Sequence, residues 1–430
     1  MRYDPADSEL FIHNRSRLLP MLESASIALL ESNDLMPSNG DGTLPWRQNS
    51  DLYYLTGIDQ EESTLLLFPD AEEERDREIL FIRETDEHIS VWEGEKLTKQ
   101  MATKLSGIAN VQWNSQFEAT LNRLVQQAEH LYLNTNEHPR AETSLETRDM
   151  RLLRKCQHDY PLHKYERLAP LMHELRVIKH PIEIGMIQKA CDITEAGFRR
   201  SLGFIRPGVG EWEIEAEFIH EFTKQQSMGF AYTPIIASGK NNCILHYIRN
   251  NRRCKDGELV LMDVAAEYGN WNADMTRTVP VNGKFTERQR AVYDAVLRVL
   301  KKCNDILRPG ITPKDYQKQT IQFVEDELIG LGLIDKQAAK QQSSSEHLVK
   351  KYFMHSTSHH LGLDVHDVCP ANEPMAPGMV LTIEPGIYIP EEGIGIRLEN
   401  NVVIGEKENI NLMANIPIEA DEIEALMAKS

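Results

Sequence analysis

The sequence predicts an α/β domain followed by an α+β domain that contains an internal repeat. At 430 residues the chain exceeds the size at which a single hydrophobic core usually stops growing, so two domains are expected. Strand-like and helix-like segments alternate up to about residue 165, whereas the later part of the chain shows one order of segments twice. We place the domains at residues 1–170 and 171–430.

Short apolar runs rich in β-branched and aromatic residues predict the strands of the first domain. They occupy residues 51–56, 63–68, 78–82 and 130–133. Helix-like stretches lie near residues 14–30 and 117–128. We interpret the polar segment 156–164 as a linker to the second domain.

Repetition is the main feature of the second domain. An Arg-Pro-Gly triplet occurs at residues 206–208 and again at 308–310, and each copy separates two helical stripes. The first helix can begin at Pro181, since proline is tolerated in the first turn. The stripes before the triplets consist of Met186, Ala190, Ile193 and Gly197, and of Val292, Val296, Val299, Cys303 and Ile306. Each half is therefore expected to contain helix, turn, helix and hairpin.

Two pairs of carboxylates mark the predicted hairpins. Asp263 and Asp274 flank one turn-like segment, and Glu384 and Glu399 flank another. If each hairpin folds about its midpoint, facing residues have numbers with a constant sum. Each acid then lies directly opposite its partner, with Cβ atoms about 5 Å apart.

The four acids need a compensating positive charge. Like charges that face one another destabilise a sheet, and burial increases the penalty. Apolar runs at 259–262 and 379–383 lead into Asp263 and Glu384, so these carboxylates should be buried and need a partner. A lone acid near a hairpin usually belongs to a solvated turn. Four converging acids suit two divalent ions, and hard oxygen ligands favour Mn, Mg, Zn or Fe.

Histidines are concentrated in one short segment. His355, His359, His360 and His366 lie within twelve residues of a chain that contains 15 histidines. One such residue alone is more often structural than catalytic, whereas the cluster favours a fifth metal ligand among them. His246 lies on a predicted apolar strand, where a core histidine and a site histidine are equally good interpretations.

One arginine and the absence of several known motifs limit the kinds of site that the sequence can form. Arg397 would share a strand face with Glu399, and it could orient that acid or form a plain ion pair with it. The sequence contains no G-x-S-x-G, H-E-x-x-H or Walker motif. Gly393-Ile-Gly395 is interpreted as part of a closely packed hairpin rather than of a nucleotide-binding loop.

Composition and charge exclude several classes of protein. The net charge of −19 argues against a nucleic-acid partner and against an anionic membrane surface. No stretch approaches the ~18 apolar residues of a membrane span, and the polar N-terminus shows no secretory signal. The six scattered cysteines, without a C-x-x-C pair, indicate reduced thiols in a cytoplasmic protein.

At these residues the chain resembles the pita-bread metallopeptidases, and most closely those of the bacterial aminopeptidase P type. The matching segments are Ile244-Leu-His-Tyr, Leu261-Met-Asp, Ala273-Asp-Met-Thr-Arg-Thr, Ser358-His-His-Leu-Gly-Leu-Asp-Val-His-Asp, Met379-Val-Leu-Thr-Ile-Glu-Pro-Gly and Gly395-Ile-Arg-Leu-Glu. An N-terminal signature of that group appears as Trp46-Arg-Gln-Asn-Ser-Asp. The resemblance covers nearly the whole chain and implies a pita-bread catalytic domain with a pseudo-twofold repeat.

The resemblance also implies roles for individual residues. Asp263 would chelate one metal ion, and His359 and Glu384 would bind the other. Asp274 and Glu399 would bridge the two ions, for which Mn²⁺ is the usual activator. The remaining implied roles are contact with the substrate or tetrahedral intermediate for His246, His355 and His366, support of the bridging acid for Arg397, and a position near the site for Tyr388.

Two looser matches lie in the first domain. Asp41 and Trp92 align with positions that border the site in that group, Asp41 from a neighbouring subunit. Leu44 and Trp46 stand where tyrosines are expected around Asp41. The resemblance thus implies a homodimer or a homotetramer.

The resulting hypothesis is an aminopeptidase that releases the first residue from peptides with proline in the second position. Two metal ions would lower the pKa of a bridging water and deliver hydroxide to the carbonyl, while Glu384 shuttles the proton to the leaving nitrogen. Alternatives with the same fold are an Xaa-Pro dipeptidase and a creatinase-type hydrolase. A non-catalytic protein-binding module is the alternative outside enzymes.

Overall fold

The computed structural model describes residues 2–141, 144–342 and 348–429. The chain divides into two compact units, residues 3–176 and residues 177–430. Within the described ranges, no helix is both long enough and apolar enough to cross a membrane. All six cysteines are free thiols.

A mixed β-sheet forms the centre of the first unit. Its strands are β1 (Ser26–Glu31), β2 (Thr64–Leu67), β3 (Glu78–Ile82), β4 (Asn110–Trp113), β5 (His130–Leu133) and β6 (Lys164–Arg167). The order in the sheet is β4-β3-β2-β1-β5-β6, with β1 antiparallel to β2 and parallel to β5. The helices of this unit are α1 (Ser8–Leu18), α2 (Ser50–Thr56), α3 (Glu87–Glu93), α4 (Lys99–Ser106), α5 (Phe117–Leu124), α6 (Arg148–Asp159) and α7 (Ala169–Val177). Apolar residues of the sheet pack against α5 and α6 in one buried core.

The strands predicted at 63–68, 78–82 and 130–133 are confirmed as β2, β3 and β5, but the strand predicted at 51–56 is helix α2. The Asn49 side chain accepts hydrogen bonds from the N–H groups of Asp51 and Leu52 and so caps the helix. Gly57, with φ of 65°, ends it in the left-handed conformation. Capping at both ends therefore outweighs the aromatic composition.

Two further expectations for the first unit are wrong. The helix expected at 14–30 stops at Leu18, and the chain then turns and enters β1, whose residues are all buried. A fully buried strand lacks the alternation that distinguishes strand from helix. The segment 156–164 is not a linker, because it contains the end of α6 and the start of edge strand β6. The helix expected at 117–128 is α5, followed by a 3-10 turn.

Paired helices and short antiparallel strands build the second unit. The helices are α8 (Pro181–Leu202), α9 (Glu211–Lys224), α10 (Glu287–Ile306), α11 (Pro313–Gly330), α12 (Lys336–Gln341) and α13 (Ala420–Met427). The strands are β7 (Ile235–Ser238), β8 (Leu259–Asp263), β9 (Glu267–Tyr268), β10 (Trp271–Asn272), β11 (Thr276–Pro280), β12 (Val380–Ile383), β13 (Gly386–Ile389), β14 (Ile394–Arg397), β15 (Asn400–Val403) and β16 (Ile410–Asn411). They pair as β11-β8-β7, β10-β9, β12-β15-β16 and β13-β14.

The internal repeat is confirmed by the backbone. The Arg-Pro-Gly triplets join α8 to α9 and α10 to α11. Gly208 and Gly310, the glycines of the two triplets, have φ of 94° and 87°. The N–H of Gly208 donates to the carbonyl of Cys254, and that of Gly310 donates to the carbonyl of Met375, both at 2.8 Å. The two halves therefore use the same local hydrogen bonds to place their hairpins.

The register of the second acidic hairpin agrees with the prediction. Ile383 pairs with Asn400 where β12 meets β15. Extending this register by one residue sets Glu384 against Glu399.

The register of the first acidic hairpin differs from the prediction by two residues. Asp263 pairs with Thr276 rather than with Asp274. The turn consists of Gly269 and Asn270, both with positive φ, so the centre of the hairpin is shifted. Because side chains alternate with a period of two, a two-residue shift keeps Asp274 on the face of Asp263, in a diagonal position.

Gly395 marks a close approach of two backbone segments. It faces Tyr388 in the β13–β14 hairpin, and a Cβ added to it would lie 2.2 Å from the carbonyl oxygen of Asn242. This agrees with the closely packed hairpin expected from the sequence.

We expect Gly395→Ala to lower the free energy of unfolding by about 1–3 kcal/mol through overpacking, as measured by urea denaturation. Gly185→Ala in α8 is the control, because a Cβ there meets nothing within 4 Å. It should be neutral or stabilise by about 0.5–1 kcal/mol. Equal effects of the two variants would contradict the prediction.

Candidate metal centre

Four carboxylates converge where strands of the second unit begin or end. Asp263 ends β8, and Asp274 lies just before β11. Glu384 follows β12, and Glu399 lies between β14 and β15. Asp274 and Glu399 are only 6% and 2% exposed, as expected for acids that follow or precede buried strands.

His359 joins this group from the loop before β12. Its backbone N–H donates to Oγ1 of Thr382 at 3.2 Å, and its backbone carbonyl accepts from the backbone N–H of Thr382 at 3.0 Å. Its Nε2 lies 3.3 Å from Oδ2 of Asp274 and 3.6 Å from Oε1 of Glu384. Ligand atoms of Asp274, His359 and Glu399 all lie within 4.8 Å of one another. Asp263 is near enough for its charge to act on Glu384 and Glu399. The five side chains therefore lie near one another, and their roles as metal ligands stay predictions.

The electrostatics of the centre favour a bound cation. Burial, and then the charge of Asp274, raises the pKa of Glu399. Burial likewise raises the pKa of Asp263 and of Glu384. Burial alone would lower the pKa of His359, but its hydrogen bond to Asp274 and the charge of Glu384 raise this pKa to about 9. The acids therefore resist joint ionisation and attract positive charge.

Arg397 is a buried guanidinium with three partners at the centre. It donates to Oδ2 of Asp263 at 2.7 Å, to Oη of Tyr388 at 2.8 Å and to Oγ1 of Thr276 at 3.0 Å. The hydroxyl of Thr276 donates onward to Oε2 of Glu399 at 2.7 Å. The direct ion pair of Arg397 is therefore with Asp263 and not with Glu399, to which its hydrogen bonds lead through Thr276.

Tyr388 connects Arg397 to His355. Nε2 of His355 lies 2.8 Å from Oη of Tyr388, and Nδ1 lies 2.8 Å from the carbonyl oxygen of Ser356. Burial lowers the pKa of His355 to about 4, so the ring is neutral. Because a carbonyl only accepts, Nδ1 carries the proton and Nε2 accepts from the Tyr388 hydroxyl. We expect a substrate that contacts His355 to replace one of these two bonds.

His366 stacks on the ring of His359. The ring centroids are 4.0 Å apart and the planes are inclined by 26°. The next residue, Asp367, forms a buried ion pair with Lys179, with 2.7 Å between Nζ and Oδ2. This ion pair anchors the loop that presents both histidines.

His246 lies in an exposed turn after the 3-10 helix Gly239–Cys243, and not on the strand that the sequence suggested. The core-histidine interpretation is therefore wrong. Ile244 and Ile248 are 52% and 57% exposed, so the apolar run around His246 is a surface turn. A positive charge on His246 would contribute to lowering the pKa of His355.

The donor set fits divalent metal ions. Four carboxylates and one imidazole supply hard oxygen ligands and one nitrogen ligand. In the part of the chain that the structure describes, no lysine or arginine forms an ion pair with Asp274, Glu384 or Glu399. A ligand histidine must be neutral, so a metal ion would displace the proton that these acids favour on His359.

Two polar side chains at the centre were missed by the sequence analysis. Thr276 stands two residues after Asp274, on the same strand face, and this spacing could have revealed it. Tyr232 donates to Oδ1 of Asp263 at 2.5 Å. It precedes β7 in a segment without a distinguishing pattern, so only the tertiary fold reveals it.

Asp41 and Trp92 belong to the first unit. Asp41 is exposed, between Pro37 and Thr43, which form a β-bridge. Trp92 lies on α3 and is 77% exposed, with its ring centroid 6.2 Å from that of His88. The site roles of Asp41 and Trp92 stay predictions.

Comparisons with known proteins also indicate a metallopeptidase. Residues 185–406 match metallopeptidase family M24, and residues 11–132 match the N-terminal domain of aminopeptidase P. The chain is 34% identical to the Xaa-Pro aminopeptidase of Escherichia coli strain K12, over 97% of both chains. It is 29% identical to human Xaa-Pro aminopeptidase 3, over 93% of this chain and 80% of that protein. A solved structure of an Escherichia coli aminopeptidase P variant in complex with substrate has a TM-score of 0.88 and 33% identity, over 99% of both chains.

The fold and the site together define a metal-dependent peptidase with the pita-bread fold. The chain belongs to metallopeptidase family M24, and it is a metallo-aminopeptidase of the bacterial aminopeptidase P type. The predicted fold class, with an α/β N-terminal domain and a pita-bread catalytic domain, is confirmed.

Proposed function

We propose that this aminopeptidase releases the first residue from peptides that carry proline in the second position. The observation that carries this proposal is the proximity of His359 to the buried acids Asp274 and Glu399 and to Glu384. The relatives named Xaa-Pro aminopeptidases support the choice of substrate, because they align over nearly the whole chain.

The proposed cofactor is a pair of divalent ions, with Mn²⁺ as the activator. Asp263 would hold one ion, His359 and Glu384 would hold the other, and Asp274 and Glu399 would contact both. When bound, the ions would activate a water molecule as the nucleophile and would polarise the peptide carbonyl.

Glu384 is the proposed proton carrier. Burial raises the pKa of its carboxyl group, which suits a residue that takes a proton in one step and returns it in the next. A carboxylate oxygen of Glu384 would accept the proton of the attacking water and then deliver it to the leaving prolyl nitrogen.

The histidines are proposed to bind the substrate and the tetrahedral intermediate. His246 is exposed in its turn, and His355 has a proton on Nδ1 and a hydroxyl partner at Nε2. A donor aimed at the developing oxyanion contributes about 3 kcal/mol. His366 would contact the substrate from its stacked position on His359. Arg397 would orient Asp263 and Tyr388 through its hydrogen bonds to both side chains.

A homodimer or homotetramer is the proposed assembly. In it, Asp41 would border the site of a neighbouring subunit, and Trp92 would border the site from the N-terminal domain. This part of the proposal rests on the resemblance alone.

Removal of the metal should abolish activity and lower Tm together. Without a cation, the crowded acids repel one another and loosen both hairpins. The measurement is hydrolysis of Ala-Pro-Ala and thermal unfolding, before and after chelation, with Mn²⁺ added back to two equivalents. Unchanged melting after complete metal removal would contradict the proposed centre.

Substrate length separates this proposal from the dipeptidase alternative. Cleavage of Ala-Pro-Ala at least as fast as Ala-Pro is expected for the aminopeptidase, and Ala-Ala-Ala is the control for proline specificity. A marked preference for Ala-Pro would favour the dipeptidase. Failure to cleave any of these peptides with saturating Mn²⁺ would contradict the proposed specificity.

A further inference from the structure

A buried carboxylate outside the metal centre organises the connection that carries His246. Glu211 is the first residue of α9 and has no solvent exposure. The connection, residues 239–252, follows β7 and leads toward β8, which begins at Leu259. Apart from one short 3-10 helix, it has no regular structure to hold its shape.

Glu211 accepts four hydrogen bonds from this connection and its start. Oε1 accepts from the N–H of Ser238 and from its hydroxyl, both at 2.7 Å. Oε2 accepts from the hydroxyl of Tyr247 and from the N–H of Arg252, both at 2.8 Å. One carboxylate thus ties together the beginning, the middle and the end of the connection. Tyr247 is the residue next to His246.

A carboxylate suits this arrangement better than an amide. All four partners donate, and an ionised carboxylate accepts at both oxygens. A glutamine side chain has the same shape but turns one oxygen into an NH₂ group, which would face two donors. Of these two, the backbone N–H cannot accept, whereas the hydroxyl can turn to accept from the amide. Glutamine would therefore lose at least one hydrogen bond and set two N–H groups against each other in a buried place.

A second contact joins the same connection to the metal centre. The ring of Tyr247 belongs to a buried apolar cluster with Tyr388, Ile235, Ala237 and Leu261. Tyr388 is the hydroxyl that links Arg397 to His355. Displacement of Tyr247 would therefore affect both the turn of His246 and the support of His355.

We propose that Glu211 is a positioning residue for peptide binding, which holds the 239–252 connection so that His246 and Tyr388 keep their places at the site. The inference rests on the role proposed above for His246. Glu211 contacts neither the substrate nor the proposed metal ligands, so it acts through the connection alone.

The test compares Glu211→Gln with Glu217→Gln in the Mn²⁺-loaded protein. Glu217 lies on the same helix but pairs with Arg200, away from the connection. We expect Glu211→Gln to lower kcat/KM for Ala-Pro-Ala about 10- to 100-fold, since small displacements of site residues have effects of this size. Its metal content should stay unchanged, and hydrogen exchange should rise in residues 239–252. Glu217→Gln should change none of these. Unchanged kcat/KM or unchanged exchange in Glu211→Gln would overturn the inference.

A double variant separates positioning from general damage. In a His246→Ala background, Glu211→Gln should cause a much smaller further loss than in the wild-type background. Losses that simply multiply would overturn the inference while leaving the role of His246 intact. Full activity of His246→Ala alone would instead contradict the proposed function, and the inference with it. Should Glu211→Gln fail to fold, Tyr247→Phe carries the same test, because it removes a single hydroxyl and keeps the ring.

Discussion

Replacement of Glu399 by glutamine should remove most of the peptidase activity and yet stabilise the metal-free protein. Glu399 is 2% exposed, and burial beside Asp274 raises the pKa of its carboxyl group. A neutral amide of the same shape relieves the repulsion in the absence of metal but withdraws a proposed bridging ligand. We expect kcat/KM for Ala-Pro-Ala to fall at least about a thousandfold, which corresponds to about 4 kcal/mol.

Three measurements check this prediction: peptide kinetics, bound Mn²⁺ per chain, and Tm with and without chelator. Glu391→Gln is the matched control, because Glu391 is an exposed acid paired with Lys351 at 2.9 Å in the β13–β14 turn. It should leave activity unchanged and stability within about 0.5 kcal/mol. A metal-free Glu399→Gln protein that melts below the metal-free wild type would show that repulsion is not the dominant effect.

Replacement of Arg397 by methionine should destabilise the metal-loaded protein by about 3–5 kcal/mol and also inactivate it. The guanidinium is 4% exposed and donates to Asp263, Tyr388 and Thr276. Its removal leaves the carboxylate of Asp263, whose side chain is 15% exposed, and two buried hydroxyls without their donor. Urea denaturation of the Mn²⁺-loaded variant gives the free energy of unfolding.

Two further variants serve as comparisons for Arg397→Met. Arg397→Lys keeps the charge but cannot donate in three fixed directions, so an intermediate loss is expected. Arg298→Met removes a half-exposed ion pair with Glu327 and should change stability by no more than about 1 kcal/mol. If Arg397→Met were as mild as Arg298→Met, the support that Arg397 gives to the centre would be unimportant for the fold.

The registers of the two acidic hairpins show which strand pairings could be predicted from the sequence. The constant-sum argument places Glu384 and Glu399 correctly, because the turn between β13 and β14 is centred where the sequence suggests. It fails for Asp263 and Asp274, since the left-handed turn at Gly269 moves the centre of that hairpin. The error is an even number of residues, so the acids still share a face and the metal centre survives it.

The prediction of secondary structure was wrong where the local composition favoured one conformation and distant contacts or helix caps favoured another. Residues 51–56 are aromatic and resemble a strand, yet Asn49 and Gly57 cap them as a helix. The turn at His246 is apolar and resembles a strand, yet its isoleucines face solvent. In both places, interactions outside the segment decide its conformation.

The sequence alone predicts the four acids that we propose as metal ligands and their positions at strand ends, because apolar strands of known length leave an acid at a defined point on a defined face. The choice of His359 among the clustered histidines came from the resemblance. The tertiary structure alone decided the surroundings of those ligands. Arg397 bonds to Asp263, Tyr232 donates to the same acid, and Glu211 ties the turn of His246. Each of these bonds joins segments that are far apart or irregular in the chain. Their geometry depends on how the helices and sheets pack, which no local pattern of residues encodes.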